Sequence, residues 1–107
     1  MTVRRVNRRE RAQRDIDEAA GHYLEEGGDA LALRSIDALE AAIQHVAKHP
    51  ATGSPRYATR TNTPGLRFWQ VKRFPYLIFY VEREDHVDVW RVLHGQRDIP
   101  AWLQIEE

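Results

Sequence analysis

Apolar residues fall into two regimes along this chain. From Asn7 to Val46 they recur at three- and four-residue steps, and from Leu66 to Leu93 they crowd into short runs. In the first regime Ala12, Ile16, Ala19, Ala20, Tyr23 and Leu24 form one stripe, and Ala32, Ile36, Leu39, Ile43 and Val46 form a second. Each stripe predicts an amphipathic helix with one buried face. Asn7-Arg8-Arg9-Glu10 has the form of a helix start, with Asn7 as N-cap and Glu10 reaching back. Gly27-Gly28 ends the first helix, since glycine takes the left-handed conformation a C-cap needs. Asp29 caps the second helix, and Pro50 cannot continue it. Two helices joined by about three residues must lie antiparallel, as an αα-hairpin.

The next stretch, 51–65, is rich in Thr, Pro, Gly, Ser and Asn and has no period, so it reads as a surface loop. Beyond it Leu66–Phe74, Pro75–Glu82 and His86–His94 are strand-like, and the charged link Arg83-Glu84-Asp85 makes the last two a hairpin. The middle run is apolar at nearly every position, as expected of a central strand covered on both faces. Thr2 to Val6 can form a short first strand, and Ile99 to Leu103 one helical turn opened by Pro100. The order β-α-α-β-β-β predicts an α+β fold, an antiparallel sheet packed against an N-terminal αα-hairpin. At 107 residues the whole chain, 1–107, is expected to be one domain with a single modest core.

Composition narrows the function. A 42% hydrophobic share beside 30% charged residues is ordinary for a globular protein. No apolar stretch approaches the roughly 20 residues that span a bilayer, and no apolar segment follows the Arg-rich start; the expectation is a cytoplasmic protein with no membrane partner. The absence of cysteine removes disulfides and thiolate chemistry. His45 and His49 share helical spacing but lack a nearby carboxylate, and a helix C-terminus favours cations; neither a metal nor a cofactor is expected. Formal net charge is zero, yet fourteen of the sixteen basic residues are Arg, and six lie between Arg4 and Arg14. Arg suits bidentate recognition of carboxylates or phosphates; a solvated helix face is the plainer reading. A neutral total speaks against non-specific nucleic-acid binding as the main activity.

The polar residues that stand out are Arg91, His94, Arg97 and Asp98, at the end of the most apolar part of the chain. Such a set could bind phosphate or stabilise charge during phosphodiester cleavage. It could equally be a structural network in which an arginine pairs with Asp98. Arg67, Lys72 and Arg73 on the neighbouring strand extend a basic rim, or guard an edge against aggregation. Trp69, Trp90 and Trp102 read as core or interface anchors. A Gly-rich phosphate loop, a nucleophile triad motif and a paired-carboxylate signature are all missing.

Three segments, Gly65-Leu66-Arg67, Phe74-Pro75-Tyr76-Leu77-Ile78-Phe79-Tyr80 and Arg91-Val92-Leu93-His94-Gly95-Gln96-Arg97-Asp98, join a first helix carrying Ala12, Asp15 and Ile16. In this order they resemble the ParE branch of the ParE/RelE superfamily, bacterial toxins of type II toxin–antitoxin pairs, and the likeness covers nearly the whole chain. The superfamily holds ribosome-dependent ribonucleases and ParE-like members thought to poison DNA gyrase. Against the ribonuclease pattern, Leu77 stands where a catalytic Arg is expected, Leu103 near a catalytic Tyr, and Phe68 and Gln70 near two catalytic Lys; Arg97 alone has a counterpart. Each such group typically contributes roughly 10²–10⁴-fold, so their loss would remove several powers of ten in rate.

The resemblance therefore implies a gyrase-binding toxin that is not an enzyme, meeting its target through Arg67, Arg73, Arg91, His94 and Arg97. The alternative is a ribosome-dependent mRNA endoribonuclease using His94, Arg97, Arg91 and Lys72; a third reading is a toxin fold that has kept only binding. The implied partner is a cognate antitoxin, a ribbon-helix-helix, ParD-like dimer that carries the DNA contact, so that DNA is met only indirectly. Its acidic, disordered C-terminal tail would fold onto Arg4, Arg8, Arg11, Arg14, Tyr57 and Trp69 in a hetero-oligomer.

Overall fold

The computed structural model describes residues 3–96 and Ile99. Strand β1 (Arg5–Arg8) leads into helix α1 (Glu10–Lys48), a 3-10 turn follows at Pro50–Thr52, and strands β2 (Leu66–Gln70), β3 (Tyr76–Glu82) and β4 (His86–His94) complete the described order. The turn expected from Ile99 to Leu103 lies, Ile99 apart, outside the described residues, as do Arg97, Asp98 and Trp102.

Helix α1 contains one non-helical residue, Gly28, at φ 78° and ψ −169°. At 1.5 Å per residue a straight helix of 39 residues would run ~58 Å, yet the longest dimension of the molecule is 39 Å. The helix therefore folds back at Gly28 into two arms, 10–27 and 29–48. Contacts across the fold agree: Arg8, just before the first arm, pairs with Glu40 on the second, and the Arg4 amide donates to the Ala47 carbonyl at 3.1 Å. The αα-hairpin is present, turned by one glycine rather than a three-residue link, because that conformation is open essentially to glycine alone.

Asn7 is not the helix cap. It lies within β1, and the N-cap is Arg9, without a side-chain cap bond. Parallel pairing with β4, Arg5 to Arg8 against His86 to Val89, keeps Arg8 extended where a helix capped by Asn7 would need its first helical residue. The strand begins at Arg5, opposite His86, the first residue of β4; Thr2 lies outside the described residues.

Strand order is β1-β4-β3-β2. Strands β2, β3 and β4 are antiparallel as expected, while β1 joins in parallel and makes the sheet mixed. β2 stops at Gln70 instead of Phe74: the Val71 amide donates to Tyr76 O at 2.9 Å and Arg73 turns to φ 72°, ending the ladder. Pro75 stays out of β3, having no N–H to donate.

The sheet buries both faces. Between hairpin and sheet lie Ile16, Leu39, Ile43, Val46, Ile78 and Val89 with their neighbours. On the outer face Leu66, Phe79, Val81, Leu93 and Ile99 pack under loop residues Tyr57 and Ala58. Strand β3 supplies Ile78 and Tyr80 to one side and Phe79 and Val81 to the other, which is why its sequence is continuously apolar. In β4 a register shift leaves Trp90 without an opposite residue: Phe79 faces Arg91, and Tyr80 faces Val89. This bulge moves Val92 to the helix side and Leu93 to the outer side.

Candidate binding groove

The basic cluster at the end of β4 is divided by burial. Arg91 is only 1% exposed. Its Nε and Nη2 donate to Asp15 of the first arm at 2.8 and 3.0 Å, and Asp15 also accepts the Val92 amide at 2.9 Å. Asp15 thus neutralises a buried guanidinium and covers a strand edge that β1, ending at Arg8, leaves bare. The sequence held a signal for this pair: an acid within the apolar stripe of Ala12, Ile16 and Ala19 needs a buried partner. Expected among the target contacts, Arg91 is instead buried and paired with Asp15. His94 is half-buried; its Nδ1 accepts from the Gln96 amide at 3.2 Å, and its ring meets Tyr76 edge-on with centroids 5.4 Å apart. It lines a cleft of about 310 Å³ that Lys72 does not reach. Arg91, His94 and Lys72 are not brought to one point.

Most of the N-terminal arginines are also committed internally. Arg4 donates to the carbonyls of Arg83 and Glu84 and pairs with Glu82 at 3.0 Å. Arg8 forks onto both carboxylate oxygens of Glu40; this hydrogen-bonded pairing raises the Arg8 pKa and holds Glu40 below the usual carboxylate range. Arg9, unremarked in the sequence, lies 4.3 Å from the Trp90 ring centre and donates to Asp88. Burial pushes the Asp88 carboxyl up, but hydrogen bonds from Arg9 and Trp90 and the charges of Arg9 and Arg83 outweigh it, leaving Asp88 below its ordinary value. Arg14 keeps a long, exposed contact of 3.8 Å with Glu10, and Arg11 is half-buried.

A depression of about 1030 Å³ runs between the second helical arm and the end of β2 with the turn after it. Ala38, Ala41 and Ala42 form one wall, small enough for a close approach; Trp69, Val71 and Phe74 form the other. Arg34, Lys72 and Arg73 add three positive charges against one acid, Asp37. Trp69 stacks on His45 with centroids 3.9 Å apart. Burial, and then the charge of His49, lower the His45 pKa, and its Nε2 lies 3.0 Å from the Thr52 hydroxyl.

Arg67 is not at this groove's surface. It donates to the Gly53 carbonyl at 2.7 Å, beside the Tyr80 hydroxyl, which donates to Pro50 O and accepts from the Gly53 amide. A Cβ on Gly53 would meet that hydroxyl at 2.2 Å, so the loop closes on Tyr80 only with glycine there. Tyr57 contacts Phe68 and Phe79 in the outer layer, whereas Trp69 belongs to the helix side. The sheet lies between them, so a tail that covers both must pass around its edge. Among the described residues no group of three or more His, Cys, Asp or Glu is placed to hold a metal ion. None of their helices is long and apolar enough to cross a membrane.

The family model for the ParE toxin of the type II toxin–antitoxin system parDE matches residues 6–99. Among solved structures, one described as the chromosomal ParDE TA system from P. aeruginosa is similar over 88% of this chain and 98% of that one, with a TM-score of 0.74 and 17% sequence identity. At that identity the likeness shows the shared fold. No curated protein matches the chain in sequence.

Proposed function

This chain belongs to the ParE toxin family of type II toxin–antitoxin systems, and from that premise we propose that it arrests growth by binding DNA gyrase in the cytoplasm and is not a ribonuclease. The observation that carries the choice is Arg91. A guanidinium held at two points by Asp15, at 1% exposure, does not stabilise charge on an RNA phosphate. Lys72, another cation of the ribonuclease alternative, lies at a different depression from His94. His94 and Arg73 remain as target contacts; Arg97 stays with them on the family likeness alone. Arg91 and Arg67 serve by holding the strand and loop that present them.

The cognate antitoxin, in this reading, seats an apolar helix face of its acidic tail in the groove beside Trp69, with carboxylates toward Arg34, Lys72 and Arg73. Arg4 and Arg8 drop out of the contact, since both are paired within the toxin. Folding on binding costs roughly 2–5 kcal/mol, so a tight hetero-oligomer needs on the order of 2,000 Å² of buried surface. A ribbon-helix-helix portion of the antitoxin would carry the DNA contact. Supercoiling by purified gyrase, with the toxin added, tests the reading. Inhibition with reporter mRNA left intact in a parallel translation reaction is expected. Unimpaired supercoiling together with cleaved mRNA would replace it with the ribonuclease.

A further inference from the structure

Among the described residues two that are not glycine take a positive φ, Asn62 at 53° and Arg73 at 72°. Asparagine enters that region readily; for arginine it is disfavoured, and glycine takes it freely. The flanks of Arg73 impose it. Val71, only 1% exposed, fixes the end of β2, and its amide donates to Tyr76 O at 2.9 Å. On the other side the Phe74 ring meets Tyr23 edge-on, with centroids 5.0 Å apart. The chain therefore reverses between Val71 and Tyr76 within the four residues 72–75, and Arg73 carries the left-handed step.

Glycine would make this turn more easily, so the arginine side chain does not serve the turn. It serves what it faces. Arg4, Arg8, Arg9, Arg67 and Arg91 each donate to an acceptor within the chain; Arg73 is exposed and lines the groove beside Trp69 and Phe74. Disfavoured backbone conformations persist where the surrounding structure over-determines them, and they gather at ligand clamps. With Val71 and Phe74 anchored on either side, the backbone of Arg73 is held, and less freedom is lost when its guanidinium is engaged. A guanidinium matches a carboxylate with two parallel hydrogen bonds, which an ammonium such as that of Lys72 does not.

We propose that Arg73 is the specificity-determining residue of the groove, donating two hydrogen bonds to a single carboxylate of the acidic antitoxin segment seated beside Trp69. Arg34 and Lys72 raise the local positive potential and speed encounter without selecting one acid. The assignment rests on the reading of the groove as the antitoxin's seat. It adds which cation selects, and why the turn carries an arginine where glycine is easier.

The test titrates the full-length cognate antitoxin into the full-length toxin and follows urea unfolding of each toxin variant in parallel. Arg73→Gly should hold or raise the urea midpoint, the disfavoured φ being relieved, and yet weaken antitoxin binding roughly tenfold or more. Arg73→Lys keeps the charge, loses the two-point match and should lose most of the same affinity. Lys72→Gln should weaken binding less than about fivefold. Replacing each Asp and Glu of the antitoxin tail in turn by Asn or Gln should single out one whose loss is large against the parent toxin and absent against Arg73→Gly. Full affinity in Arg73→Gly or Arg73→Lys, a lower urea midpoint in Arg73→Gly, or carboxylates that all act independently of Arg73 overturns the proposal. Ala41→Glu, a larger acid at an exposed position on the groove wall, separates the two levels. Binding lost there but kept in Arg73→Gly removes the Arg73 assignment alone; binding kept in Ala41→Glu moves the antitoxin elsewhere and removes both.

Discussion

Single residues in this fold are valued by their partners rather than by their charge. Breaking the buried Asp15–Arg91 pair from one side strands a charge, which typically costs about 3–5 kcal/mol. Asp15→Ala is therefore expected to lower urea-unfolding stability by that order, and Arg91→Met in the same background to recover part of it, the Val92 amide still lacking its acceptor. A loss below about 1 kcal/mol in Asp15→Ala would show that water reaches the guanidinium. His45 carries a pH effect of determinable sign. Its folded pKa lies below the unfolded value because burial and His49 oppose its charge. The unfolded chain then takes up a proton more readily, so this residue's contribution is present above the ordinary histidine pKa of about 6.5 and lost as pH falls through and below it. Melting should shift downward between about pH 7.5 and pH 5.5, and less so in His45→Gln. An NMR titration that places the His45 imidazole at or above about 6.5 would contradict this.

At the scale of elements, the hairpin turn and the helix interior give opposite answers to the same substitution. Gly28 occupies a backbone region closed to side chains, with open space around it. Gly28→Ala should thus destabilise by backbone strain alone, on the order of 1–3 kcal/mol. Gly21 is an exposed position within the first arm, and nothing lies within 4 Å of its added Cβ. There alanine removes glycine's backbone entropy loss and should stabilise by about 0.5–1 kcal/mol. Paired chemical-denaturation curves decide both; a Gly28→Ala variant as stable as the parent would mean the arms can meet through another turn. Neither outcome depends on function, which makes them tests of the fold.

For the whole molecule, charge layout sets the prediction. The tip of the hairpin carries Glu25, Glu26 and Asp29, while the groove gathers Arg34, Lys72 and Arg73. Reversing these three to Glu should slow antitoxin association about tenfold or more at low salt and reduce its salt dependence. Reversal of Arg11 and Arg14 should matter less, as neither lines the groove. Stopped-flow association at two ionic strengths measures both. Equal effects of the two sets would move the antitoxin's acidic segment to the first helical arm.

The helical stripes, the continuously apolar β3 and the glycine turn were all legible in the sequence, because they follow from local periodicity and backbone sterics that neighbouring residues specify themselves. The α+β order and the likeness to ParE toxins came with them. What the chain order could not reveal was long-range pairing. Asp15 and Arg91 lie far apart in sequence, and only the packing of the first arm over the bare edge of β4 joins them. Parallel pairing of β1 kept Arg8 extended, so the helix starts too late for Asn7 to cap it. The bulge at Trp90 broke the alternation that would have put Leu93 beside Val87 and Val89, and sent Val92 there instead. Arg4, Arg8, Arg67 and Arg91 look alike as symbols on a line, and so does Arg73. Tertiary structure decided which of them met an internal acceptor and which kept a charge for a partner, since a guanidinium's role depends on the acceptor within reach, and reach is a property of the folded chain.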